Sequence, residues 1–463
     1  MKRPERRLIV AGILLIGISY GLARFAYGLF LPSMRDDVGL STATAGFIGS
    51  GAYVGYCLAI VASALWVERL GARLVAVIAA LVAAGGMAAI AVSTHPLVLA
   101  VAILFAGMST GLASPPMAQA VSGVIDEARQ GRANTLINAG TSLGVAVSGP
   151  VAFLATGQWR LAYAVFAVAA LINALMLWFS VPRRLDASDT PSEADSTTPR
   201  TGGLRRPGMF ALVLAAIGMG TASAAYWNFA SDVVMTLGDF GQNTASGVWV
   251  LIGVAGLFGG VAGDLVERLG VNWVHRVWLC AMALSLVLLV LMPTHLMAVG
   301  ISAALFGAAY IMLTGVYLVW GVGLYADRPA VGLGLPFLMI AVGQVVGSPL
   351  AGYLIGSQGS VFCFTTFALI ALATALVRHR ERHQVSHYPA HPAGKHEVNG
   401  NADKARAEVA RPGKSSDGTV AASTGSVAPL GRFYLPAMPP LGAIEWIARR
   451  LSGSRRVARR RRD

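Results

Sequence analysis

Charge is scarce in this sequence. Of 463 residues only 13% are Asp, Glu, Lys or Arg, against 55% apolar, and the mean hydropathy is +0.63. A soluble domain of this size carries about 25% charged residues, so lipid rather than water is implied as the main solvent. Cysteine is scarcer still. Cys57, Cys280 and Cys363 lie singly in separate apolar runs, with neither metal-ligand spacing nor the even count of a disulfide framework, and no redox role follows. No Walker-type Gly-x-x-x-x-Gly-Lys-Ser/Thr loop is present, which argues against an ATP-driven pump. Gly140 to Gly144 spell Gly-x-Ser-x-Gly, but a nucleophile elbow needs a strand-to-helix turn and a histidine base. That word sits inside an apolar run, and His95, His275 and His295 lie near loops. It reads as a helix-packing face, and no enzyme is expected.

What the sequence does have is a rhythm of long apolar runs. Against the roughly 20 residues needed to cross a bilayer, twelve spans are predicted. They lie at 8–31, 43–66, 73–93, 96–122, 133–156 and 160–181, then at 209–235, 244–266, 272–292, 296–324, 330–356 and 360–378. Each is twice the length of a barrel strand and must satisfy its own backbone, so each is read as helix. The basic start, Lys2 to Arg7, precedes a run too long for a signal peptide and is read as flanking an uncleaved first span. The 54 glycines suit close helix packing, as in Gly51-x3-Gly55, Gly107-x3-Gly111, Gly140-x3-Gly144 and Gly343-x3-Gly347. Pro115, Pro116, Pro150, Pro336 and Pro349 are expected to loosen their helices.

Loop charge predicts orientation. With the N-terminus inside, the outer loops carry only Arg35 and Arg160, whereas the inner ones carry Arg69, Arg73, Arg129, Arg132, Arg268, Arg276, Arg328 and the arginines of residues 183–207. The positive-inside rule then puts both termini in the cytoplasm, in a plasma (inner) membrane. The expected organisation is an N-terminal six-helix bundle at 1–182, a polar cytoplasmic linker at 183–207, a C-terminal bundle at 208–378 and a basic, disordered tail at 379–463.

The two halves repeat. Val67-Glu68-Arg69-Leu70-Gly71 recurs as Val266-Glu267-Arg268-Leu269-Gly270, displaced by 199 positions. The same offset carries Tyr27 to Tyr226, Phe30 to Phe229, Arg129 to Arg328, Gly144 to Gly343 and Pro150 to Pro349. One register through a charged loop and a proline marks a parallel repeat, the pattern of transporters whose halves are related by an axis along the membrane normal.

The loop after the second span resembles the Gly-x-x-x-Asp-Arg-x-Gly-x-Arg signature of the major facilitator superfamily. Glu68, Arg69, Gly71 and Arg73 fit it, with Glu for Asp and Ala64 in place of the first glycine. The second copy has Gly263, Glu267, Arg268 and Gly270, with Asn272 at the last arginine. Within the hydrophobic chain, GLARFAYGLFLP and LFGAAY are similar to the YbfB/YjiJ-type branch. The resemblance implies an all-α polytopic fold of two pseudo-symmetric six-helix bundles, a secondary transporter working by alternating access, and a cytoplasmic gate at Glu68, Arg69, Gly71, Arg73, Glu267, Arg268 and Gly270. Acidic and basic groups at helix ends suit a latch that pairs in one conformation and parts in another; plain orientation anchoring is the simpler alternative.

Arg24 is the charged residue that membrane chemistry explains least. At about 1.5 Å per residue from Leu8 it lies roughly 24 Å into a core about 30 Å thick, where it must face a watery cavity, pair with an acceptor or snorkel. Its repeat counterpart is Ser223, so the charge serves a local task. The resemblance implies that spans 1, 4, 7 and 10 line a central cavity, which adds Tyr20, Tyr27, Gln119, Tyr226, Trp227, Asn228, Tyr310, Tyr317 and Trp320 as substrate-binding candidates, with Asn138 and Gln344 on neighbouring spans. For each singly, helix packing is the competing role. Acidic residues are few: Asp232 is the candidate coupling group, near the outer end of span 7. The substrate is therefore expected to be a small organic anion or zwitterion. A proton-coupled drug or metabolite efflux antiporter and a transport-dead sensor on the same fold are the alternatives.

In the tail, His379, His383 and His387 are spaced four apart, as in a helical metal site or simply a basic tail, and the latter is expected, with no metal and no cofactor. Residues 440–452 combine apolar residues with Trp446, Arg449 and Arg450 and suit the surface of an anionic leaflet. Lipid, not nucleic acid, is the expected polyanion, and a monomer is the expected unit.

Overall fold

A computed structural model describes residues 2–155, 158–183, 205–326 and 328–379. The linker between 184 and 204 and the tail from 380, including His383, His387 and residues 440–452, lie outside the described residues. The first half comprises α1 (Arg3–Val38), α2 (Thr42–Leu70), α3 (Ala72–Ala91), α4 (Pro96–Val124), α5 (Glu127–Leu154) and α6 (Trp159–Ser180). The second comprises α7 (Met209–Thr236), α8 (Gln242–Leu269), α9 (Val271–Leu291), α10 (Leu296–Leu324), α11 (Pro329–Gln358) and α12 (Ser360–Ala375). Eleven are long and apolar enough to cross a membrane, and the twelfth is a shorter apolar helix. Large apolar side chains such as Phe47, Leu154, Phe179 and Leu291 stand exposed on the outside, the surface a lipid-embedded chain presents.

The first helix extends past both ends of its apolar run. Pro4 suits a first turn, Glu5 is buried there because Arg129 of α5 grips it through both carboxylate oxygens at 3.1 and 3.3 Å, and left-handed Gly39 ends the helix 31 positions later than Leu8 begins the run. Packing follows the repeat: α1 meets α5 and α6 as α7 meets α11 and α12, and α3 meets α4 and α6 as α9 meets α10 and α12. Across the halves, α2 packs on α11, α5 on α8 and α1 on α7. These approaches need glycine. A Cβ on Gly28 would collide with the carbonyl of Trp227, and one on Gly46 with that of Ser348. They lie from mid-depth to the end opposite Arg3 and His379, where Arg35 also pairs with Asp232 at 2.6 Å.

The two Val-Glu-Arg-Leu-Gly words fold alike. Gly71 has φ 81° and ψ 160°, Gly270 φ 78° and ψ 152°, a left-handed-side conformation that favours glycine. Each donates its N–H four residues back, to Val67 at 3.0 Å and to Val266 at 2.9 Å. Where the copies diverge, at Arg73 and Asn272, the task is still shared: Arg73 Nε donates to the Val181 carbonyl at 2.6 Å, and Asn272 Nδ2 to the His379 carbonyl at 2.9 Å. Both pin the turn to the end of the last helix of their own half.

Helix irregularity does not follow the prolines, which sit within helices. It falls instead at a nine-residue π-helical stretch, Gly17–Phe25, in α1, at a break at Ala139 in α5 and at a 3₁₀ turn, Leu257–Val261, in α8. Gly17 and Gly21 of the π stretch lie directly against Gly140 and Gly144 of α5. The Gly-x-Ser-x-Gly word is thus a packing seam.

Candidate functional site

Arg24 lies on that π-helical stretch, a distortion that recurs at functional sites. The residue is 6% exposed. Its Nη2 donates to Oε1 of Gln344 on α11 at 2.6 Å. The amide's other end, Nε2, faces Tyr310 Oη of α10 at 3.3 Å and Ser223 Oγ of α7 at 3.4 Å. Arg24 and its repeat counterpart Ser223 therefore meet on one side-chain amide. Gln344 and Tyr310 stand at the middle of their helices, which puts the guanidinium at mid-depth rather than near the outer border.

Aromatic rings surround the cation. Its Cζ is 4.5 Å from the centroid of Tyr53, 4.9 Å from Phe25, 5.0 Å from Tyr56 and 5.8 Å from Tyr20, all within cation–π range. Phe25 stacks on Trp227 of the other half at 3.9 Å, and Tyr310 meets both edge-on. Among the described residues no carboxylate pairs with Arg24, and its Nε has no hydrogen-bond partner. An isolated arginine at the centre of a membrane helix costs about 3 kcal/mol on insertion scales; one neutral amide and π faces offset this only in part.

The structure does not bring every candidate here. Tyr20 does join, its hydroxyl on Ser114 at 3.0 Å. Asn228 lies one layer towards the far end, bonded to Ser348 Oγ at 2.9 Å and to the Ala224 carbonyl at 2.8 Å. Tyr27 donates to the Ala45 carbonyl at 2.8 Å, and Tyr226 meets Ser302 at 2.9 Å inside its own bundle. Tyr317 and Trp320 turn to His275 of α9: a buried phenol needs a partner, and Tyr317 finds His275 Nδ1 at 3.2 Å. Gln119 and Asn138 are exposed towards the end that carries the termini, the latter where α5 breaks at Ala139. Tyr53 and Tyr56 were not among the candidates, since α2 is not a lining span by resemblance. Their i, i+3 spacing, one face of a helix, is the signal that finds them.

At the terminal end, Glu68, Arg69, Glu267 and Arg268 are exposed. Among the described residues the salt bridges do not include them. Asp232 is buried at the opposite end and held by Arg35. His379 gives its backbone to Asn272 and its ring to Trp320 at 5.1 Å, and no group of three metal-ligating side chains occurs among the described residues.

A family model described as Major Facilitator Superfamily matches residues 13–335. A hexuronate transporter of Bacillus subtilis (strain 168) is 26% identical over 181 residues, 39% of this chain and 43% of that protein, so the chain spans less than half the length of this curated relative. The crystal structure of nucleoside transporter NupG superposes with a TM-score of 0.61 at 14% identity, covering 81% of this chain and 98% of that one. A bacterial homolog to the human lysosomal transporter Spinster, in an inward-facing and occupied conformation, gives 0.62 at 13% identity over 81% and 95%. Both share the fold. A twelve-helix, two-bundle chain with this match over most of its length is a multi-pass transport protein rather than an enzyme, and it belongs to the Major Facilitator Superfamily.

Proposed function

We propose that the chain is a secondary transporter that moves a small organic anion by alternating access, with Arg24 as the group that recognises the anion. The observation that carries this is the buried guanidinium between the two halves, facing Gln344 and no carboxylate among the described residues. A charge left uncompensated at mid-depth favours an anionic ligand, and charge-assisted hydrogen bonds from a planar fork suit a carboxylate. The partial relative named for hexuronate, a sugar acid, agrees in charge. A zwitterion fits less well, because its ammonium would need an acidic partner, and Asp232 is engaged by Arg35. The same lack weighs against an antiporter of cationic drugs.

Loop charge supports cytoplasmic termini and a plasma (inner) membrane. The close helix approaches and the Arg35–Asp232 pair then form an outer closure, and the solvent-facing Glu68, Arg69, Glu267 and Arg268 belong to a cytoplasmic latch in its released state. Asp232 is the group through which a proton would act on that closure.

Counterflow in proteoliposomes tests the proposal. Full-length protein loaded with a panel of organic acids should exchange at least one of them across the membrane. A sensor on the same fold would bind without moving its ligand, and that result would sink the transport function.

A further inference from the structure

The chemistry around Arg24 restricts the anion further, given the reading of Arg24 as the anion site. The guanidinium offers five N–H donors, of which Nη2 is used on Gln344 and Nε on nothing. One uncompensated positive charge matches one carboxylate; a second carboxylate would be buried without a partner. The surroundings are flat and apolar. Tyr53, Phe25 and Tyr56 each lie within 5.0 Å of the cation, and Phe25 stacks on Trp227, which Tyr310 meets edge-on.

Most hydroxyls and amides near the cation are already committed. Tyr20 is spent on Ser114, Tyr310 on Gln344, and Asn228 on Ser348 and its own helix. A polyhydroxylated body would lose its water hydrogen bonds there and recover few. A planar ring would exchange them for π contacts. Trp227 Nε1, buried and without a hydrogen-bond partner, is a donor open to a polar substituent on such a ring.

We infer that the substrate class is the planar aromatic monocarboxylates, with the carboxylate on Arg24 and the ring packed against the aromatic cluster of Tyr53, Tyr56, Phe25 and Trp227. The same chemistry disfavours sugar acids and dicarboxylates. Because Phe25 belongs to one half and Trp227 to the other, a ring held by both reports to both bundles as they rock.

Equilibrium binding to purified full-length protein tests this. Radiolabelled benzoate and phenylacetate serve as probes, with glucuronate, succinate and benzyl alcohol as comparators. Saturable benzoate binding is expected, with each comparator weaker by about tenfold or more, the cost of one unpaired buried polar group or of a missing charge. Tyr53→Leu with Tyr56→Leu should weaken benzoate by about tenfold through lost ring contacts. Arg24→Lys should retain part of the affinity and Arg24→Gln little. Glucuronate binding as tight as benzoate, or no binding of either aromatic acid, overturns the inference. If glucuronate binds and loses its affinity in Arg24→Gln, the anion site stands without the aromatic class. Binding of all probes undiminished in Arg24→Gln removes the anion site itself. The wild-type comparison decides the class even if a variant fails to fold.

Discussion

Arg35 of α1 holds Asp232 of α7 at 2.6 Å, and among the described residues this is the ion pair that joins the two halves of the molecule. It lies at the end where the helices also come closest, one turn and more beyond the Gly28–Trp227 crossing. Asp232 is buried and Arg35 is partly exposed, so removing one partner costs less than for a fully buried pair, about 1–2 kcal/mol. That is enough to move a two-state equilibrium roughly tenfold. Asp232→Asn should raise the population open at this end, read as longer inter-bundle distances between spin labels, and the swap Arg35→Asp with Asp232→Arg should restore it. Unchanged distances in Asp232→Asn would remove the pair from the closure.

The signature loop separates two jobs. Arg69 is exposed, so Arg69→Ala should leave thermal stability within about 0.5 kcal/mol while slowing transport through loss of the latch. Arg73 and Asn272 instead hold helix ends, through Val181 and His379. Arg73→Ala and Asn272→Ala should each lower the melting temperature, by an amount that corresponds to about 1 kcal/mol. Equal stability loss for all three variants would contradict the division.

Much of the fold was legible because its cause is local. Twelve apolar runs and a five-residue word repeated at one offset carry the architecture in the order of residues alone. The last signature position is instructive: Arg73 and Asn272 differ in chemistry, yet both reach a backbone carbonyl beyond the last helix of their half, a shared task that only the three-dimensional arrangement exposes. The site was half legible. A charge as costly as Arg24 declares itself in an apolar run, and so do Gln344 and Tyr310 as polar groups at mid-span. Tyr53 and Tyr56 needed the knowledge that α2 turns a face to α1, and Tyr317 the knowledge that His275 waits on α9.

Arg129 ties the start of α1 to the α4–α5 junction by gripping the buried Glu5 and, one turn away, Asp126. Its hydrogen bond and charge hold the Asp126 carboxyl below the ordinary carboxylate range. A carboxylate with a depressed pKa in the folded state contributes stability that is present above its unfolded value and is lost as pH falls through the folded one. Arg129→Ala should therefore lower the melting temperature, chiefly by stranding Glu5. The difference from wild type should hold from pH 8 to about 5 and shrink only in stronger acid. A gap that closes at neutral pH would exclude the carboxylates as its source.

Arg24 is where the central claim is most exposed, because the same side chain is the costliest to bury and the least compensated. The deciding measurement is uptake of organic acids into proteoliposomes by wild type and by Arg24→Gln, at matched protein insertion and at several pH values. The account predicts anion uptake by wild type and a loss of about tenfold or more in Arg24→Gln, as for removal of a charged hydrogen-bonding partner. Full-rate anion uptake by Arg24→Gln would contradict it.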